Sequence, residues 1–198
     1  MSATLTPFKK HGLTPEEYLA GERVSDVRHE YVDGEVYAMV GASRRHGLIV
    51  NAIAFALTPA ARQQHCQLFV ADMKLRLCIK DQQIFYYPDL LLTCDPDDRE
   101  AYFTSSPCLI IEVLSETTER IDRREKWLAY QTLPSMREYV LVAQDARRVE
   151  IFRRTRDWQA EYHETGAVPL ACLGIHLALD DIYADVANLG GFTAAETL

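Results

Sequence analysis

The sequence predicts an α/β (α+β) domain built on a mixed β-sheet flanked by helices, and three observations carry that prediction. Helical and strand-like periodicities alternate along the chain in the order helix, hairpin, helix, strands, helix, strands. Two apolar runs, YYPDLLLT from Tyr86 and PCLIIEVLS from Pro107, are almost continuous, as in strands covered on both faces. No repeat, low-complexity segment or boundary divides the 198 residues, so one domain is expected over 14–198 behind an N-terminal arm, 1–13.

The elements follow in order. Thr14-Pro15-Glu16-Glu17 is a helix start, with an N-cap, a proline at the first helical position and acids in the first turn. That helix covers Pro15 to Ala20. HEYVDGEVYAMV reads as a hairpin turning at Asp33-Gly34. A second helix begins near His46, with Ile49, Ile53, Ala56 and Leu57 at helical spacing, and Pro59 should stop or kink it. Strands are expected at Leu68–Ile79, Ile84–Thr93, Cys108–Leu114 and Tyr139–Ala143, with an exposed loop from Cys94 to Pro107. Glu119–Leu133 is helical, Arg137–Ala143 and Arg147–Arg154 form a hairpin, Trp158–Glu164 extends it, and Asp180–Ala184 is a last helical patch. Gly190-Gly191 begins a weakly specified end.

Composition excludes several function classes. An apolar fraction of 48% and a charged fraction of 25% are those of an ordinary globular protein. No run approaches the ~18 apolar residues of a membrane span, and the N-terminus lacks a signal-peptide core, so a cytoplasmic protein is expected. The cysteines (Cys66, Cys78, Cys94, Cys108, Cys172) are odd in number, widely spaced and without CxxC, and are expected to be reduced, mostly buried thiols. A net charge of −8 excludes a general basic coat for nucleic acid but not a locally basic cleft.

The chemistry concentrates in the two apolar runs. Each carries one carboxylate, Asp89 and Glu112, and a carboxylate in such surroundings must be paired, hydrogen-bonded or metal-bound. If the strands are neighbours, the two acids converge at one sheet edge. Mg²⁺ is commonly held by one or two carboxylates, with water and phosphate completing its shell. Lys126 follows on the next helix, with Asp122 and Tyr130 four residues to either side on the same face. The bland alternatives are a solvated Asp122–Lys126 pair, a turn-closing Asp89 and a Glu112 paired with a buried Arg.

Pro88-Asp89, Glu112-Val113-Leu114-Ser115 and Asp122-Arg123-Arg124-Glu125-Lys126 together resemble the PD-(D/E)xK nuclease superfamily, and within it the Uma-two restriction-endonuclease family. HEYVDGEVYAMVGASRRH and REYVLVAQDARRVEIFRR resemble that family's N-terminal hairpin and closing strands, so the likeness covers nearly the whole chain. The resemblance implies a restriction-endonuclease-like fold, Mg²⁺ or Mn²⁺ as cofactor, and Asp89 and Glu112 as metal ligands. The superfamily lysine stands two residues after the acid, where this chain has Leu114, and the Uma-two pattern points to Lys126 instead. Glu30 and His46 match family positions near the site; Glu30 would ligate metal or orient Lys126, and His46 would contact phosphate or start its helix. Glu116 stands where the family commonly has proline.

Arg44, Arg45, His46, Lys74, Arg76 and Arg123 are candidate DNA-phosphate contacts, each with a solvated surface role as its alternative. The leading expectation is a Mg²⁺-dependent DNA endonuclease, with Asp89, Glu112, Lys126 and Glu30 as catalytic residues and a homodimer as a plausible assembly. The rivals are an inactive nuclease-fold module that binds DNA or protein, and a site acting on RNA or a nucleotide.

Overall fold

The computed structural model describes residues 12–115, 119–187 and 189. Most of the expected arm, Glu116 and Gly190-Gly191 lie outside the described residues. Helix α1 (Pro15–Glu22) starts at a reciprocal cap, in which the Thr14 side chain accepts from the Glu17 N–H while the Glu17 carboxylate accepts from the Thr14 N–H. Strands β1 (His29–Val32) and β2 (Glu35–Ala38) form the hairpin. Its turn residues Asp33 and Gly34 have φ of 46° and 93°, the left-handed conformation that a tight hairpin turn needs.

Ser43 caps α2 (Arg44–Gln63), which runs through Pro59 rather than stopping there. The lost hydrogen bond would have gone to Phe55, on an exposed turn where water can replace it. Leu68–Ile79 and Ile84–Thr93, each expected to be one strand, are two apiece. β3 (Gln67–Val70) and β4 (Lys74–Ile79) separate at Ala71, whose φ is 59°, and β5 (Gln82–Tyr86) and β6 (Leu90–Thr93) separate at Pro88, which has no N–H for a ladder. The apolar pattern passes across both breaks: β4, β5 and β6 together bury most of their residues, while Leu68 and Phe69 of β3 are half-buried and Val70 is exposed.

β7 (Phe103–Thr104) is a short strand inside the expected loop. β8 (Leu109–Leu114) is followed by α3 (Glu119–Ile121), a π-helical segment (Asp122–Lys126) and α4 (Trp127–Gln131). β9 (Glu138–Ala143), β10 (Val149–Arg153) and β11 (Ala160–His163) continue the expected hairpin. The pair β12 (Ala167–Leu170) and β13 (Ile175–Ala178) went unread, and α5 (Leu179–Tyr183) closes the fold.

The central sheet has six strands in the order β11-β10-β9-β8-β6-β3, mixed because β8 and β9 are parallel and the other pairs antiparallel. A five-stranded sheet, β2-β1-β5-β4-β7, packs on one side of it with α4. On the other side lie α2, α5 and the β12–β13 hairpin. Leu109, Ile111 and Val113 of β8 therefore enter the α2 core, and Ile110 and Leu114 enter the α4 core. Burial on both faces accounts for the unbroken LIIEVL run, and by the same alternation Glu112 faces α4.

The cysteine expectation is corrected. Cys66 and Cys94 form a disulfide, while Cys78, Cys108 and Cys172 are free. The 28-residue separation concealed the pairing: β3 and β6 are antiparallel with Gln67 opposite Thr93, so the flanking residues Cys66 and Cys94 meet. Thiol titration of the denatured protein is expected to find three reactive cysteines before reduction and five after. In the chain-entropy view the crosslink contributes about 3–4 kcal/mol, so Cys66→Ser with Cys94→Ser should lower the urea midpoint.

Candidate active site

The site forms where β6 and β8 pair. Leu90 lies opposite Ile111, which sets Asp89, just before β6, beside Glu112. Their main chains and side chains then interlock. The Asp89 N–H donates to Glu112 Oε2 (3.1 Å), and the Val113 N–H donates to Asp89 Oδ2 (2.7 Å). His46, in the first turn of α2, lies with Nε2 3.1 Å from that same Oδ2. Burial works against the charged imidazole, but the hydrogen bond and charge of Asp89 outweigh it and hold the His46 pKa above its ordinary value. Both of these contacts fall on Oδ2, and the Asp89 side chain is 21% exposed, so Oδ1 is the open oxygen of the pair.

Glu112 is 3% exposed and points at the helical crossover between β8 and β9. Its Oε1 accepts from Tyr130 Oη at 3.0 Å and from Lys126 Nζ at 3.4 Å. Lys126, 6% exposed, also lies 3.1 Å from Glu30 Oε1 on β1 and 3.4 Å from Asp122 Oδ1. Glu30 is itself positioned by the Tyr87 N–H, 3.3 Å away. One ammonium thus faces three carboxylates from β1, β8 and the crossover helix. The Tyr86 ring lies 5.5 Å from the same nitrogen.

The π-helical segment contributes to this placement. The Trp127 N–H reaches back five residues to the Asp122 carbonyl, and Tyr139 Oη donates to that carbonyl as well (3.1 Å). A widened turn of this kind is a frequent local feature of functional sites. Burial opposes the Lys126 charge, yet Glu112, Glu30 and Asp122 hold its pKa well above the ordinary lysine value. Burial also lifts Glu112 well above the usual carboxylate range, opposed by Lys126 and reinforced by Asp122 and Asp89.

Residues 15–181 match the Uma2 family, described as "Putative restriction endonuclease". The chain belongs to the Uma2 family. It is 34% identical over 185 residues to the uncharacterized protein slr1290 of Synechocystis, covering 91% of this chain and 95% of that one. A second Synechocystis protein, uncharacterized sll1609, is 31% identical over 150 residues, covering 74% of this chain and 84% of that one. The fold is similar to a crystal structure from Anabaena variabilis, described as "a putative nuclease belonging to DUF820", with a TM-score of 0.66 at 16% identity over 87% of this chain and 98% of that one.

The donor set of this Uma2 chain can be tested against the divalent metal that its resemblance implies. Among the described residues, no group of three or more His, Cys, Asp or Glu is arranged to hold a metal ion. The available ligands are oxygens: Asp89 Oδ1 and the lone pair of Glu112 Oε2 left beside its bond from Asp89. Two carboxylate oxygens suit Mg²⁺ or Mn²⁺, which complete their shells with water and phosphate, and do not suit the closed cage of structural zinc.

The candidate phosphate contacts fare differently. His46 is in the site. Arg45, on the same turn, donates to the Gln144 carbonyl (3.2 Å), and Arg44 is exposed. Arg76 bonds Gln83 and covers the Phe103 ring, so its contacts lie on the outer sheet. Arg123 is already committed, with two 2.6 Å bonds to the Glu150 carboxylate and a third to Glu119. Lys74 is buried beside Tyr87. Tyr130 and Asp122 belong to the site alongside Lys126, and their i±4 spacing was the available signal; the Tyr87 N–H left none.

Replacing Lys126 with alanine leaves Glu30, Glu112 and Asp122 facing one another without their cation. A stability loss of about 3–5 kcal/mol is expected from urea unfolding, and Glu112→Gln in the same chain should recover part of it.

Proposed function

We propose that this protein is a metal-dependent endonuclease that hydrolyses phosphodiester bonds in DNA, with Asp89 and Glu112 as ligands for Mg²⁺ or Mn²⁺. The observation that supports this most directly is the juxtaposition of those carboxylates, from two adjacent strands, beside a buried ammonium. Membership of Uma2 and the nuclease-like fold point the same way. When bound, the ion supplies Lewis-acid polarisation of a phosphoryl oxygen and a lowered pKa for water.

The protein's part is positional and electrostatic. His46 and the Val113 N–H hold Asp89 through Oδ2, which presents Oδ1 to a ligand. Tyr130 and Lys126 hold Glu112 through Oε1 and present Oε2 toward Asp89. Glu30 and Asp122 fix the Lys126 ammonium, whose charge offsets that developing on the phosphate in the transition state. Lys126 acts as a fixed cation, held by Glu30, Glu112 and Asp122. A cut on both strands of a duplex calls for two such sites, which a homodimer would supply.

A second reading has its own observation: Lys126 is engaged by three acids on a chain of net charge −8, as in a nuclease fold retained for binding alone. Plasmid nicking with Mg²⁺ or Mn²⁺ separates the two. Asp89→Asn and Glu112→Gln are each expected to reduce the rate at least ~100-fold, with circular dichroism unchanged. Cleavage that survives both substitutions would sink the metal-nuclease mechanism, and a wild type that binds DNA without cutting it supports the binding module.

A further inference from the structure

We propose that the cleft beside Tyr87 is a phosphate subsite that takes one nucleotide of an unpaired strand, with Lys74 as its anion-binding group. This deepens the nuclease reading, on which it rests for the identity of the ligand as a nucleic-acid strand. The cleft holds about 490 Å³ and is walled by Arg23, Arg28, Lys74, Tyr87 and Tyr102 among others. That volume falls within the ~300–1,000 Å³ of small-molecule sites, enough for a nucleotide and too little for a duplex.

Lys74 opens β4 and is 7% exposed, yet among the described residues no carboxylate lies within ion-pair distance of it. Its Nζ lies over the face of the Tyr87 ring, 5.1 Å from the centroid. The other buried charges are answered. Glu112 and Asp122 have Lys126, Glu138 has Arg153, and Glu150 has Arg123. Three acids also line the cleft, Glu22, Asp26 and Asp72; Glu22 accepts from the His29 N–H and from Tyr87 Oη, and Asp72 pairs with Arg28. Burial accordingly lowers the Lys74 pKa, with Glu22 opposing and Arg28 adding to the effect.

Lys74 lines the cleft with most of its side chain buried, so its ammonium is partly desolvated, and an anion entering the cleft offsets that cost. Lysine acts as a point charge, which suits a phosphate reached from several directions. Beside it, the Tyr102 ring is 48% exposed and carries Arg23 4.7 Å from its centroid, a platform on which a base stacks without sequence preference. Stacking of this kind needs an unpaired base. The cleft adjoins the candidate active site through one residue. Tyr87 lays its ring under Lys74, donates its N–H to Glu30, and leads through Pro88 to Asp89. A strand reaching Asp89 from this side passes Lys74.

The test is fluorescence anisotropy with a labelled oligothymidylate of about ten nucleotides, in EDTA so that no divalent ion is present. Lys74→Met is expected to weaken binding at least ~10-fold and to reduce the salt slope by about one, while Lys74→Arg retains most of the affinity. Thermal unfolding of Lys74→Met should lie at or above wild type, because a partly desolvated charge with no carboxylate partner among the described residues has been removed. A duplex of equal length should bind more weakly than the single strand. The subsite is overturned if Lys74→Met binds like wild type, or if it loses binding in step with a lower melting temperature. Equal affinity for the duplex overturns the unpaired strand, as does thymidine monophosphate competing at the oligonucleotide's own concentration. A wild type that binds through Lys74 but never cleaves overturns the nuclease reading and leaves the subsite standing. Cleavage together with Lys74-independent binding does the reverse.

Discussion

The structure depends on the burial of one ammonium among three acids. Lys126 joins the crossover helix to β8 through Glu112, to β1 through Glu30, and to its own preceding turn through Asp122. Taking these groups out of water is costly, and a hydrophobic cluster of equal volume would serve the fold as well or better. The arrangement fixes the Glu112 carboxylate, which in turn accepts from the Asp89 N–H. It holds a cluster of charges at the meeting of the central and outer sheets.

That cluster owes its arrangement to a change of sheet. At Tyr87-Pro88-Asp89 the chain leaves β5 of the outer sheet and enters β6 of the central one. Asp89 falls in the gap, where its N–H and carboxylate are not used by a ladder and bond Glu112 and Val113 instead. The same three residues carry the Tyr87 N–H that bonds Glu30. A proline that ends one strand thus arranges the site as well as the topology.

Elsewhere the buried charges serve the fold. Glu138 accepts from Arg153 and from the Ala171 and Cys172 N–H groups, which ties the β12–β13 turn to the central sheet. Glu150 binds Arg123 in a two-pronged pair that anchors the start of the crossover helix. Bidentate pairs of this geometry are among the stronger ones, and this one commits the Arg123 guanidinium to Glu150.

The sequence by itself determined the class of fold, the two-sided burial of the central strands and the acids within them. Each rests on local pattern: continuous apolar runs, a capped helix at Thr14, a hairpin turn at Asp33-Gly34, and Lys126 spaced four residues from Asp122 and Tyr130. Tertiary structure decided everything that depends on which strands pair. The runs at Leu68–Ile79 and Ile84–Thr93 divide between two sheets at Ala71 and Pro88, and the apolar pattern that continues across each break carries no mark of it. The β3–β6 register joins Cys66 to Cys94 across 28 residues of sequence, and only packing brings Glu30 to Lys126 and leaves Lys74 without a carboxylate partner among the described residues. Periodicity encodes which face a residue takes, whereas the partner it meets there is set by the pairing of elements far apart in the chain.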